Sequence, residues 1–451
     1  MKNSNTKRIL FSYGNRFVQN LRQAAMTKAP KKFFGDYRTG EKMKAQRVRR
    51  VALISAVAGV LVAGLISAPS SQAAGQIKIG YINATIGPFA GPAPEITKGF
   101  KLALKEIKGQ VNGKKIVVIE EASDATAATA LEKAKKLVEK DKVDIVFGPL
   151  SGDEGVAIAN YAKKTPAVTF VNTASSATET TLQVKAPNFF RFHGDAAQWS
   201  GGVGPIAYNQ GYKRVAIVAD DYSFPYANAG GFATGFCKAG GTIVAAQWPA
   251  LGTKDYSSVI AALPKDIDAV YAGLGGADAV QFLKQAVEFG LKKPLIGGAI
   301  LVDGEVLGSK AKIGDAALGT IAGGPVPTSD YHSKLWDKFV ADLASVGTTP
   351  NIFNVLGYNS GKSMLAGLVA VKGDLSNGQK SYRAALAKLK WNSPTGPISM
   401  DKNRNAIVSN FIYQVISDGK GGFATKTLLK QDNVAQGKKV FGRVNSCADV
   451  K

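Results

Sequence analysis

Short apolar strands alternate with amphipathic helices through most of this chain, and they do so in two successive runs. Strand–helix alternation over such lengths produces βα units and mostly parallel sheets. The first run predicts a strand over 76–82, with Ile77, Ile79 and Tyr81 in alternation, and a helix over 94–107 with Ile96, Phe100, Leu102, Ala103 and Ile107 on one face. A strand over 115–120 and a helix over 125–140 follow. The second run starts after Phe192-His193-Gly194 with a helix over 196–210, a strand over 214–219 and a helix over 228–239. It continues with strands over 242–247, 269–272 and 294–296, separated by helices over 256–263 and 278–289. Beyond Gly324, helices are predicted over 330–346, 354–371 and 380–389. Two tail strands, over 405–409 and 411–416, are joined across polar residues. A chain of 451 residues is too long for one core. The expected fold class is α/β, with two parallel-sheet lobes.

The stretch 144–176 is the centre of the first run. Strand 144–147 stops at Gly148-Pro149 and opens into Leu150-Ser151-Gly152; a helix over 153–163 and a strand over 167–171 follow. The second strand opens into Asn172-Thr173-Ala174-Ser175-Ser176. Loops leaving the carboxyl ends of neighbouring parallel strands converge, and ligands bind there. Hydroxyls and the free N–H groups of a helix start suit a carboxylate. The bland alternative is that the serines merely cap helices.

Residues 1–42 are polar, basic and without hydrophobic periodicity. A basic segment ending in Arg49-Arg50 then precedes an apolar run over 51–67 and small residues at Ser71 and Ala73. That order predicts a cleaved secretory signal over 43–74, with Met1 and Met43 both open as the start. It also changes the meaning of the +24 net charge. Residues 1–73 hold 14 of the 57 Lys+Arg and 2 of the 33 Asp+Glu, leaving 43 basic and 31 acidic residues in the remainder. Lysines spread over helix faces, with no arginine cluster interleaved with aromatics, argue against nucleic acid as a partner.

Several chemical motifs fail on spacing. Gly357-Tyr358-Asn359-Ser360-Gly361-Lys362-Ser363 has three residues between its glycines where a phosphate loop needs four. Gly273-Leu274-Gly275-Gly276 puts Asp278 where a dinucleotide fingerprint needs its third glycine. His193 and His332 stand in unrelated contexts, which leaves little from which to build a triad or a histidine metal site. No catalytic residue, metal or cofactor is expected.

Ile77-Lys78-Ile79-Gly80, Gly87-Pro88, Gly99-Phe100-Lys101-Leu102-Ala103, Gly148-Pro149-Leu150-Ser151, Asp221-Tyr222 and Asp268-Ala269-Val270-Tyr271 occur in that order. In this pattern the chain resembles the periplasmic solute-binding proteins of branched-chain amino acid (Liv-type) ABC transport. The resemblance implies two Rossmann-like lobes joined by three crossovers, with 75–194 and 324–394 in lobe 1 and 195–323 and 395–451 in lobe 2. It implies a periplasmic monomer that closes on a small molecule and delivers it to a membrane permease and its ATPase. A ligand-sensing receptor subunit of the same fold is the alternative in another class.

Carried over residue by residue, the resemblance assigns Ser151 and Gly152 to a ligand carboxylate, with Ala174, Ser175 and Ser176 from the second loop. Tyr222 and Phe224 supply an aromatic from the second lobe. The family's other aromatic and its acid are replaced by Gly275 and Ala299. Without that acid, an α-ammonium lacks a partner, and burying it unpaired is costly. The expected ligand is therefore an aromatic or related organic acid, with the glycine opening space for its body. Asp303 or Asp278 reaching the cleft would instead restore an amino-acid site. The export signal, with the tail expected to return to the lobe of Cys237, implies a Cys237–Cys447 disulfide; two unpaired thiols are the other reading.

Overall fold

The structure, a computed structural model, describes residues 75–437 and 440–450. The basic extension and the signal segment expected over 1–74 lie outside the described residues.

The chain begins with β1 (Gln76–Asn83), α1 (Ala93–Glu106), β2 (Gln110–Val111), β3 (Lys114–Ala122), α2 (Ala127–Lys135) and β4 (Ile145–Phe147). Next come α3 (Gly152–Ala162), β5 (Thr169–Asn172) and β6 (Phe189–Arg191). These strands form one sheet in the order β2-β3-β1-β4-β5-β6, parallel except at β2. Ile79 and Tyr81 stand on the buried face of β1, where Tyr81 meets Phe100 and Phe147 edge-on or tilted within 5.7 Å.

The second run supplies α4 (Ala196–Ser200), α5 (Val203–Asn209), β7 (Arg214–Ala219), α6 (Ser223–Lys238), β8 (Thr242–Gln247) and α7 (Ser257–Ala261). It goes on through β9 (Ala269–Gly273), α8 (Gly276–Glu288), β10 (Leu295–Gly297), α9 (Gly304–Gly308), α10 (Lys310–Ile313) and β11 (Ile321–Gly324). The remainder is α11 (Lys334–Ala344), α12 (Ile352–Ala370), α13 (Lys380–Ala387), β12 (Lys390–Ser393), β13 (Gly396–Met400), β14 (Ala406–Ser417) and β15 (Phe423–Val434). The second sheet runs β12-β13-β14-β11-β10-β9-β7-β8, with β15 on β14; β7 to β11 are parallel, and β14 is antiparallel to β11.

Three expectations need correction. The helix expected over 196–210 is broken at Gly201-Gly202, two residues of low helix propensity that precede Pro205. The two tail strands are one: Asn410, read as part of a polar joint, is buried in mid-strand, its amide donating to the carbonyls of Gln198 and Trp199. The helix expected from 228 begins one turn earlier, at Ser223, because Pro225 is tolerated in a first turn.

Helix α12 returns to the first sheet and lies along α1, with Phe100, Leu365 and Leu368 in one core. A Cβ on Gly99 would come within 2.0 Å of the Asn354 carbonyl oxygen, a backbone atom that cannot yield. Gly99→Ala is therefore expected to cost about 1–3 kcal/mol through overpacking, measured as a shift in the urea midpoint; an unchanged midpoint would mean that the two helices separate freely.

The segments between the sheets are tied by a fully buried arginine. Arg191, at the end of β6, donates from Nε to Asn405 Oδ1 at 2.7 Å and from Nη1 to the Ala177 carbonyl at 2.6 Å. Its Nη2 lies 3.7 Å from the Asp195 carboxylate. Burial lowers its pKa to about 10, and the Asp195, Asp401 and Glu179 carboxylates oppose that shift.

A closed cleft between the sheets

The loops leaving β4 and β5 converge, as parallel neighbours require, but, Ser175 apart, their hydroxyls are committed to the protein itself. The Ser151 hydroxyl donates to the Ala125 carbonyl at 2.7 Å and accepts the Glu154 N–H. Glu154 accepts from the Ser151 N–H at 2.7 Å and from the Ser123 hydroxyl at 2.5 Å, completing a capping box at the start of α3. Burial pushes the Glu154 carboxyl up to about 6, and these hydrogen bonds act against it. In the second loop the Pro149 carbonyl accepts from the Ala174 and Ser175 N–H groups and from the Thr173 hydroxyl. Ser176 donates to the Ala174 carbonyl, and the Ser175 hydroxyl is buried without a partner. The capping role set beside Ser151 as the bland alternative is thus what its side chain performs. The Gly152 and Asp153 N–H groups at the first turn of α3 are the donors best placed for an anion.

Facing these loops is the start of α6. Tyr222 and Phe224 stack at 6.3 Å, Tyr222 meets Phe89 edge-on at 6.3 Å, and Trp199 lies 6.1 Å from Phe224. Leu150, Ser151, Ala174, Tyr222, Phe224 and Ile300 line a common cavity, with Phe353 and Leu356 of α12 behind them. No charged side chain lines it. Its free volume is only about 20 Å³, room for roughly one water.

The cleft is closed by direct contact. Asp153 Oδ1 accepts from the Ser223 N–H at 3.0 Å and from the Ser223 hydroxyl, joining α3 to α6. A Cβ on Gly152 would lie 2.5 Å from the Phe224 nitrogen, so only glycine permits this approach.

Gly275 and Ala299 fall elsewhere than expected. A Cβ on Gly275 would lie 2.2 Å from Ile300 Cδ1: the side chain of Ile300 fills the space that the glycine was expected to open. Ala299 is buried beside the cavity and lines a neighbouring groove instead. Neither acid proposed as a substitute lines the cavity. Asp303 Oδ1 caps α9 through the Glu305 and Val306 N–H groups, and Asp278 Oδ2 accepts the Gly252 N–H. Phe89, Trp199, Ile300 and Phe353 were not singled out by sequence; Phe89 directly follows the Gly87-Pro88 motif, which is the one signal that could have marked it.

Among the described residues, no group of three or more His, Cys, Asp or Glu is arranged to hold a metal, and no helix is long and apolar enough to cross a membrane.

A family profile described as "Periplasmic binding protein" matches residues 76–420. The Leu/Ile/Val-binding protein homolog 6 of Brucella melitensis is 26% identical over 368 residues, spanning 79% of this chain and 91% of its own length. The leucine-specific-binding protein of Salmonella typhimurium is 28% identical over 284 residues, 59% of this chain and 70% of its own. Among solved structures, a solute binding protein of an ABC transporter from Rhodopseudomonas palustris BisB5, in complex with 3,4-dihydroxybenzoic acid, superposes with TM-score 0.73 at 27% identity, covering 80% of this chain and 98% of that one. The fold is also that of the branched-chain amino acid transporter substrate binding protein LivJ from Streptococcus pneumoniae, in complex with isoleucine, at TM-score 0.67 and 22% identity over 79% and 100% of the two chains.

Proposed function

The chain belongs to the periplasmic binding protein family, in its Liv-type branch, and we propose that it captures a small organic acid with an aromatic body for an ABC importer. The observation that carries the ligand is the cavity wall: aromatic and aliphatic side chains on both faces, with no carboxylate to pair an ammonium. A carboxylate in the cleft would meet the N–H groups at the start of α3, and its ring would stack between Tyr222, Phe224 and Phe89. That a related structure holds 3,4-dihydroxybenzoic acid supports this chemistry.

Capture works by hinge opening. A cavity of about 20 Å³ admits no organic ligand, so the Asp153–Ser223 contact breaks and Ile300 and Phe224 move outward before binding. The ligand then draws the protein closed only by its greater affinity for the closed form. We place the moving parts at 75–194 with 324–394 and at 195–323 with 395–451. The chain acts as a monomer after removal of a signal segment ending near residue 74, in the periplasm, and hands its ligand to a permease and ATPase. N-terminal sequencing of exported protein tests that processing; a retained 51–67 segment would overturn it.

A branched-chain amino acid is the second reading, favoured by what the curated relatives are called. A thermal-shift panel separates the two. Benzoate or a hydroxybenzoate at about a hundred times its dissociation constant is expected to add roughly 2.7 kcal/mol of stability. If leucine, isoleucine and valine alone raise the melting temperature, the organic-acid reading fails.

A further inference from the structure

Beside the cleft lies a larger groove of about 650 Å³, within the range of small-molecule sites. One wall comes from α9 and from Tyr413 and Phe423 of the second sheet; the other comes from α11 and the start of α12, which pack on the first. Ile352 lines both this groove and the cleft cavity.

Its chemistry is the inverse of what a carboxylate needs. Although residues 74–451 hold 43 Lys+Arg, none of the residues lining the groove is a lysine or arginine; its charged residues are Asp303 and Asp337, with His332 at the rim. Aromatic rings from several elements face the space: Tyr331 and Trp336 meet edge-on at 6.4 Å, and Tyr413 and Phe423 stand on the other wall. Asp303, 5% exposed, uses Oδ1 to cap α9, while its Oδ2 is buried without any partner. Burial pushes this carboxyl up to about 7, the neighbouring Glu305 carboxylate adds to the shift, and the α9 N–H groups oppose it. The other nearby charges are the His332–Asp337 pair, at 3.1 Å, Asp330, which accepts from the Thr328 hydroxyl at 2.5 Å, and Lys310, whose ammonium covers the Phe423 ring at 4.4 Å. A carboxylate oxygen without a partner and aromatic rings in the walls of one groove are the two features that hold a desolvated cation.

We propose that this groove is a second binding site, for an organic ammonium ion with an apolar or aromatic body, its charge on Asp303 and its body against Trp336 and Tyr331. Because the two walls belong to the two sheets, an occupant changes the free energy of closing the cleft, and cleft ligand and ammonium then alter each other's affinity reciprocally.

Calorimetric titration of the whole mature protein with phenethylammonium and benzyltrimethylammonium, beside neutral benzyl alcohol, tests this. Wild type is expected to bind both cations saturably and the alcohol far more weakly. Asp303→Asn keeps the helix cap, since asparagine caps as well as aspartate, and is expected to weaken both cations by about tenfold or more. Val340→Lys, at a half-buried position on the α11 wall, places a resident ammonium in the groove and is expected to have the same effect even if the Asp303 variant misfolds. Val287→Ala, on the exposed face of α8 and lining neither cavity, is expected to leave cation binding unchanged. No saturable cation binding, equal binding by folded Asp303→Asn, or loss of cation binding in folded Val287→Ala would each overturn the proposal.

Discussion

Gly152→Val is expected to weaken ligand capture by about ten- to a hundredfold while leaving both lobes folded. The position starts a helix and has no chain neighbour to offend in an open protein, so the added methyls matter only on closure. There the new Cβ meets the Phe224 nitrogen at 2.5 Å and the Ser223 backbone carbon at 3.1 Å. Backbone atoms at the start of a helix cannot swing aside as a side-chain tip does. Overpacking of this kind costs about 1–3 kcal/mol, and that cost falls wholly on the closed form, where each 1.4 kcal/mol is tenfold in affinity. Titration with the best ligand of the thermal-shift panel, alongside circular dichroism of the free protein, measures both parts. Unchanged affinity would show that ligand is held without the α3–α6 contact. Lost secondary structure would show that the glycine serves the fold instead.

Removing the Cys237–Cys447 disulfide is expected to destabilise the protein by about 2–5 kcal/mol. The bridge joins the last turn of α6 to the chain terminus across 210 residues, with Cα atoms 5.7 Å apart. Closing so long a loop removes much freedom from the unfolded chain, and the cost of closure rises with length only slowly. The native side gains as well. Val440, Val444 and Val450 of the tail pack on Phe232 and Phe236, contacts that fray once the end is released. Guanidinium denaturation of Cys237→Ala/Cys447→Ala against the parent gives the difference, and thiol labelling of unfolded, unreduced parent should find no free thiol. Equal midpoints would mean that the bridge adds nothing to the stability of the folded state.

Residues whose burial follows a period were legible in the sequence; residues decided by contacts between distant segments were not. Ile77, Ile79 and Tyr81 recur at every second position because they share the face of β1 that packs on α1, and that period announces the strand although Ile82 is buried on the other face. The loops at Ser151 and Ala174 were placed together by the same logic, since parallel neighbours end side by side. What their hydroxyls bond to was not legible: the carbonyl that takes Ser151 belongs to Ala125, before the strand begins. Gly275 misled for the same reason, because the atom that fills its space comes from Ile300, after another strand. Asn410 looks like a turn residue until Gln198 and Trp199, some two hundred positions earlier, accept its amide. β15 has little alternation to find, since most of its residues are only partly buried.

The return of α12 to α1 sets the order in which this protein can become whole during its synthesis. The face of α1 that carries Phe100 is covered by residues of α12, which emerges only after the entire second parallel run has been made. The second sheet waits in turn for β14, from the last stretch of the chain, to flank β11. Neither sheet is finished by a contiguous piece, so a nascent chain that stops short of 370 carries an apolar helix face with nothing to lie on it. Folding dominated by such distant pairings is slow, and a chain that folds slowly stays threadable. Under the proposed export to the periplasm, the interleaving would keep the chain in a state that a narrow channel can accept.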